Sequence, residues 1–461
     1  MTAVFYSAAT AWCPRCRRTV PARIVEEAGL VWLEKECQVH GSERVIISRD
    51  PERFRSQRRY IRPAQLPKGR FGKEFKGCPD SCGLCPQHRQ HTCLPVAEIT
   101  SLCDMDCPIC LKPKGQVFGL TPEEFRESLL KLKEYEGSLV LLNLSGGEPT
   151  CHPRFPEFIR IAAELGTAQI TVSTNGLNLL KDKALRDLFI EYQAAASLQF
   201  DGLAEKPYQI LRGRNLLRTK LDMIELFEKE ELPYSLTAVA ARGVNEDQIP
   251  LIADFFFRSR ALSLMIQPAA VTGRAAFNFT GENRLTLDEA VSLLETSRHI
   301  APGDLAPIAC SHPQCAASAY YFKISEERFL SLQKFLGLEE YLKVTANRSF
   351  PGLDLEGHQV IKDRIYEHWA GLSGGPEDRE LLDQVRKLLK RLEGREFSAG
   401  EAFEAGRETV KSVFVHGFMD PQTLDLNRLV KCCNHYLQAG GRLVPMCAHN
   451  AVHSADPGLP G

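Results

Sequence analysis

The sequence predicts an α/β protein, a partial TIM-like (β/α)6 barrel with a ribbon-type metal module before it and a cluster-binding extension after it. Two observations carry this prediction. From Pro95 the chain alternates apolar, strand-length runs with longer amphipathic stretches, the pattern of a parallel sheet wound by right-handed crossovers. Polar or cysteine-bearing motifs then follow one strand after another, as expected where loops at the carboxyl ends of strands build a single face. Eight units need about 250 residues. The stretch from Pro95 to Thr272 therefore suits six, leaving an open side that can admit a large substrate.

The strand candidates are 96–100, 139–144, 169–173, 197–200, 235–240 and 262–267. Helices are expected between them. One runs over 121–136 and opens Thr121-Pro122-Glu123-Glu124, a capped start with proline in the first turn; another runs over 245–260. CDMDCPIC follows the first strand, SGGEP the second, STNG the third, QFDG the fourth and QP the sixth. Single glycine turns after strands are common, but five ordered loops on one face, the first bearing thiols, are hard to explain as connections alone.

The division expected along the chain is a metal module over 1–60, a cluster segment over 61–94, the barrel over 95–275 and an α-rich region with a second cluster over 276–461. Cys13, Cys16, Cys37 and His40 flank a hairpin-like stretch, two from each knuckle, which fits a mononuclear zinc or rubredoxin-like iron site. Residues 50–76 are polar and basic, a linker or surface lid. Cys78, Cys82, Cys85 and Cys93 follow within sixteen positions and can close an iron–sulfur cluster, with zinc the alternative. Beyond the barrel, Cys310 and Cys315 stand in CSHPQC, and Cys432, Cys433 and Cys447 come far later. One of the adjacent pair Cys432 and Cys433, with the other three, makes a second four-thiolate set; scattered buried thiols are the plain alternative.

Cys103, Cys107 and Cys110 carry the chemistry. Three thiolates on one loop can hold a 4Fe-4S cubane while one iron keeps an open position, able to bind and activate a ligand. A zinc knuckle is the competing reading, though zinc sites favour paired C-x2-C ligands.

Composition bounds the rest. The chain has 461 residues, enough for two or three domains and an enclosed site. Fifty-seven basic against 58 acidic residues give a net charge of -1, which disfavours a nucleic-acid partner. No apolar run approaches a membrane span, and the start lacks the basic region of a signal peptide, so a cytoplasmic location is expected. Sixteen cysteines then point to metal sites rather than disulfides.

The cysteine triplet with SGGEPT resembles the radical S-adenosylmethionine (SAM) superfamily. The resemblance implies that SAM chelates the open iron and that the GGE loop, Gly146, Gly147 and Glu148, meets its amino group. Ser173, Thr174, Asn175 and Gln199 are implied as further contacts. Arg214 and Arg218 are candidates to balance the cofactor carboxylate, an exposed helix surface being the ordinary alternative. More widely, the order of motifs from about residue 10 to 450, including QPAAVTGR and the ending FMDPQTLDLNRLVKCCNHYLQAGGRLVPMC, resembles archaeal tetraether lipid synthase and its bacterial homologues. That implies one SAM-binding and two auxiliary 4Fe-4S clusters, a ferredoxin- or flavodoxin-type electron donor, peripheral contact with the inner membrane face, and carbon–carbon coupling of two saturated lipid chains. The Phe-rich segments 253–257 and 274–279 are candidate walls of an apolar channel, plain core being the alternative. Competing readings are a radical enzyme acting on a pterin, peptide or other small substrate, and a non-catalytic iron–sulfur scaffold.

Overall fold

The structure is a computed structural model and describes residues 3–69, 77–79, 82–113, 115, 117–308, 311–348, 357, 359–364, 367, 401, 406–407 and 409–453. Cys310 lies outside them. Four antiparallel strands form the N-terminal ribbon: β1 (Val4–Cys13), β2 (Arg18–Glu27), β3 (Leu30–Cys37) and β4 (Gly41–Ser48). The expected hairpin is β2–β3, turned at Ala28 and Gly29, both at positive φ.

Six parallel strands then build the barrel. They are β5 (Leu94–Thr100), β6 (Leu141–Gly146), β7 (Gln169–Thr174), β8 (Ala195–Gln199), β9 (Tyr234–Ala240) and β10 (Ser263–Pro268), each paired with its neighbour in sequence order. All six sequence-predicted strands are present. The helix Pro122–Glu136 has the expected start: Thr121 accepts from the Glu124 N–H at 3.2 Å while Glu124 returns a bond to the Thr121 N–H at 2.9 Å. Its Phe125, Leu129 and Leu132 recur at helical spacing and bury against the sheet.

The C-terminal region adds β11 (Ala306–Pro307), β12 (Ala316–Lys323), β13 (Phe329–Ser331), β14 (Val410–His416), β15 (Asn434–Leu437) and β16 (Leu443–Pro445). Two of these extend the barrel. β14 joins β10 and β15 joins β5, both in parallel, so eight parallel strands stand side by side where the sequence suggested six. Asn434 Nδ2 lies 3.2 Å from His416 Nε2, linking the ends of the two added strands. The side expected to lie open is thus faced by the C-terminal extension. The described part of that extension is mixed α and β rather than α-rich. No described helix is long and apolar enough to cross a membrane.

Candidate active site and metal centres

At the ribbon tip, Cys13, Cys16, Cys37 and His40 bring their ligand atoms within 4.8 Å of one another. His40 Nδ1 is 3.5 Å from the sulfurs of both Cys13 and Cys37, and Cys16 and Cys37 are 3.8 Å apart. A tetrahedron with metal–sulfur bonds of about 2.3 Å has edges of about 3.8 Å, so the set fits a single zinc or iron ion. Backbone N–H groups of His40 and Val39 hold the Cys37 thiol down at about 6, favouring the thiolate that a metal needs.

Above the barrel, Cys103, Cys107 and Cys110 line one cavity of about 910 Å³. Cys103 is exposed at its rim. Among the described residues only the ribbon quartet gathers tightly enough for one ion; a cubane takes one thiolate per iron and needs the wider spread of this loop. The GGE loop seats against it through backbone alone. Gly147 N donates to Thr100 O and Glu148 N to Leu102 O, each at 2.8 Å, and a Cβ on Gly146 or Gly147 would come within 2.2 or 2.3 Å of those strand-end carbonyls. Gly146 also has φ +136°, so glycine is needed twice over.

Glu148 is 1% exposed, and burial raises its carboxyl. Four donors oppose this: the Thr150 N–H and hydroxyl, the Thr174 hydroxyl at 2.8 Å and the Asn175 N–H at 2.7 Å. Asn175 Nδ2 continues to Asp104 Oδ1 at 2.6 Å, within the cysteine loop. Glu148 therefore clamps three loops together.

Charged groups that the sequence did not single out surround this loop. Asp201 is fully buried and takes a two-pronged ion pair from Arg212 at 2.7 and 2.8 Å, with further bonds from Gln199 Nε2 and Val239 N. Arg212 stands beside Cys107, where its charge offsets the burial that raises that thiol. Arg274 stands beside Cys110 and pairs with Asp106. Its neighbour Gly273 (φ +57°) lets the loop after β10 dock on the cysteine loop, the Ala275 N–H reaching Cys110 O at 3.1 Å. Lys220, fully buried, donates to Asn175 O at 2.5 Å, and desolvation lowers its amine to about 7. Lys112 pairs with Glu98, which also meets His449 Nε2 at 3.2 Å, tying the cysteine loop to the C-terminal tail.

Arg214 and Arg218 do not reach the cavity. Arg214 touches Asp104 O at 3.4 Å from an exposed position, and Arg218 pairs with Asp222 on the helix surface. The phenylalanines of the Phe-rich segments are not cavity walls either, although Arg274 of the second segment lines the cavity: Phe257 packs in the core against Phe256, Tyr321 and Phe329, and Phe277 is exposed.

Five of the auxiliary cysteines face the same cavity. Cys93, Cys315, Cys432, Cys433 and Cys447 all line it. Cys78, Cys85 and Cys432 crowd Cys82 and raise its thiol. Cys432 in turn faces Cys447 and Cys315, so it stands between the two sets drawn from the sequence. Cys93 packs against Cys433, its N–H donating to Cys433 O at 2.8 Å. The adjacent cysteines thus point to different neighbours.

Residues 75–256 match the radical SAM superfamily model, and residues 5–49 match the HMPTM N-terminal zinc ribbon domain. The fold is that of the radical SAM superfamily. A curated relative, 7,8-dihydro-6-hydroxymethylpterin dimethyltransferase of Methanocaldococcus jannaschii, is 26% identical over 96% of this chain and 93% of its own length. PqqA peptide cyclase of Bradyrhizobium diazoefficiens is 28% identical over 46% of this chain and 57% of its own. SuiB of Streptococcus suis bound to S-adenosylmethionine superposes on 44% of the chain at 17% identity, covering 46% of that structure, with a TM-score of 0.37, too loose to place a ligand. The radical SAM domain, when loaded with its cluster and SAM, supplies one-electron cleavage of the sulfonium. In this chain the residues that would hold them are the Cys103, Cys107 and Cys110 loop, with the GGE and STN loops beside it on the same cavity.

Proposed function

We propose that this chain is a radical SAM enzyme that builds carbon–carbon bonds on a pterin-like heterocycle by methylation. The observation that carries the reading is the match to the Methanocaldococcus pterin dimethyltransferase, which runs nearly end to end and so includes the ribbon, the barrel and the C-terminal cysteines. The barrel lumen supports it. Barrels of this kind are ordinarily filled by Val, Ile and Leu. Here Asn143, Thr171, Ser197, Ser235, Thr237 and Ser263 face the cavity and bond to one another across strands, Ser197 to Thr237 and Ser263 to Ser235 at 2.9 Å. Hydroxyls and amides suit a flat ligand with donors and acceptors on its edge, and gain nothing from an alkyl chain.

Anaerobic incubation with reductant, SAM, 7,8-dihydro-6-hydroxymethylpterin and a methyl-group donor, either further SAM or a one-carbon-loaded reduced pterin, is the test. Methylated pterin and 5'-deoxyadenosine should both appear, each dependent on SAM and reductant. Unchanged pterin would overturn the reading.

A second reading is coupling of saturated lipid chains, the reaction of the tetraether lipid synthase family. An apolar arc on the C-terminal side of the cavity, Leu94, Val96, Ile308, Phe414, Phe418 and Met419, favours it. Chain-terminally deuterated lipid decides between them: label entering 5'-deoxyadenosine, with pterin unreacted, selects the lipid. On either reading a low-potential donor of the ferredoxin or flavodoxin class supplies the electron.

A further inference from the structure

A buried cation stands on the cavity wall among thiols. Arg428, on the short helix Leu426–Leu429, is 8% exposed; among the described residues no carboxylate forms an ion pair with it, and it stands against Cys315. Its Nη2 donates to Gln314 O at 2.9 Å and, more weakly, to Gly417 O at 3.4 Å, while its buried Nε has no hydrogen-bond partner. Both acceptors flank Cys315: Gln314 precedes it, and the Gly417 N–H donates to Cys315 O at 2.9 Å. The next residue along the helix, Leu429, accepts from the Cys432 N–H at 3.1 Å, and Cys447 Sγ accepts from the Met419 N–H at 3.4 Å. Arg428, Cys315, Cys432 and Cys447 line the same cavity. The nearby carboxylate, Asp425, is occupied in capping its own helix through Asn427 N.

Burying a guanidinium is costly unless an anion faces it. Neutral thiols do not answer that need, whereas iron-bound thiolates do. We propose that Arg428 is the counter-ion of the auxiliary iron–sulfur site built on Cys315, Cys432 and Cys447, and that it holds the reduction potential of that site up. N–H donors and positive charge beside cluster sulfurs stabilise the reduced, more negative state, which moves the potential upward. Arg428 is a positioning residue in this assignment, touching ligands rather than substrate, and the assignment is independent of which substrate the cavity takes.

The test is an EPR-monitored redox titration of the anaerobically reconstituted full chain in a C103A/C107A/C110A background, so that only auxiliary signals are read. Arg428→Met should shift the auxiliary midpoint to lower potential with iron and sulfide content unchanged. Arg428→Lys, which keeps the charge and loses the fork, should shift it less. An unchanged midpoint in the Met variant overturns the assignment. Should the Met variant lose iron, Arg428→Gln is titrated in its place, and a wild-type midpoint there overturns it equally. Iron loss in both the Met and Gln variants also overturns it, because Arg428 would then serve assembly rather than potential.

Discussion

At Glu98 a single carboxylate joins two parts of the chain that the sequence separates widely. Burial opposes its ionisation, yet Lys112 and His449 outweigh that and hold it at about 2. A carboxylate whose folded value lies below its unfolded one contributes stability that is fully present above the unfolded value, near 4.5, and lost as pH falls through the folded value. The difference corresponds to about 3 kcal/mol at neutral pH. Glu98→Gln should therefore lower the urea midpoint at pH 7 by that equivalent, and the gap from wild type should shrink to about half near pH 3. A gap that stays constant with pH would mean that shape, not charge, is what Glu98 supplies. This pair was not legible in the sequence. Cysteine ligands announce themselves because they sit close along the chain, as Cys103, Cys107 and Cys110 do, whereas Asp201, Lys220 and Arg428, which the fold buries, and Glu98 and Arg212, which it largely covers, look like ordinary surface charges in the sequence.

Among the elements, the ribbon is more than an appendage, because its metal knuckle packs on the auxiliary cysteines. Trp12, 2% exposed and adjacent to the ligand Cys13, lies in one apolar cluster with Cys82, Leu424 and Cys447. Lys35 Nζ reaches Gln422 O at 2.9 Å and Arg17 reaches Val452 O at 2.8 Å, fixing the ribbon to the C-terminal segment. Removing the ribbon metal should then be felt beyond the ribbon. Cys37→Ser is expected to lose the mononuclear ion and, in addition, to reduce auxiliary iron per chain, measured by metal and sulfide analysis after anaerobic purification. Retention of all auxiliary iron would make the two modules independent. The elements themselves were largely readable. Short apolar runs bounded by turn residues gave β5 to β10, but β14 and β15 were missed because strands of seven and four residues beyond the barrel carry no signal for which sheet they join.

For the whole molecule, eight parallel strands and two sets of thiols around one cavity make the barrel and its extension a single catalytic chamber. The open side inferred from six units becomes a wall, and the auxiliary cysteines on it look across at the core triplet. Sequence order could not place those cysteines, since Cys432 and Cys433 are neighbours in the chain and yet turn to different partners. Such a chamber divides its labour. The core triplet alone should govern SAM cleavage, because among the described cysteine-bearing loops it is the one that meets the GGE and STN loops through Glu148 and Asn175. C103A/C107A/C110A should abolish 5'-deoxyadenosine formation under dithionite while keeping the auxiliary iron and the ribbon metal, whose ligands lie on other elements. Residual cleavage in that variant would place the SAM-binding iron on the auxiliary thiols instead. A simultaneous loss of all iron would mean that the chamber folds around its clusters as one cooperative unit.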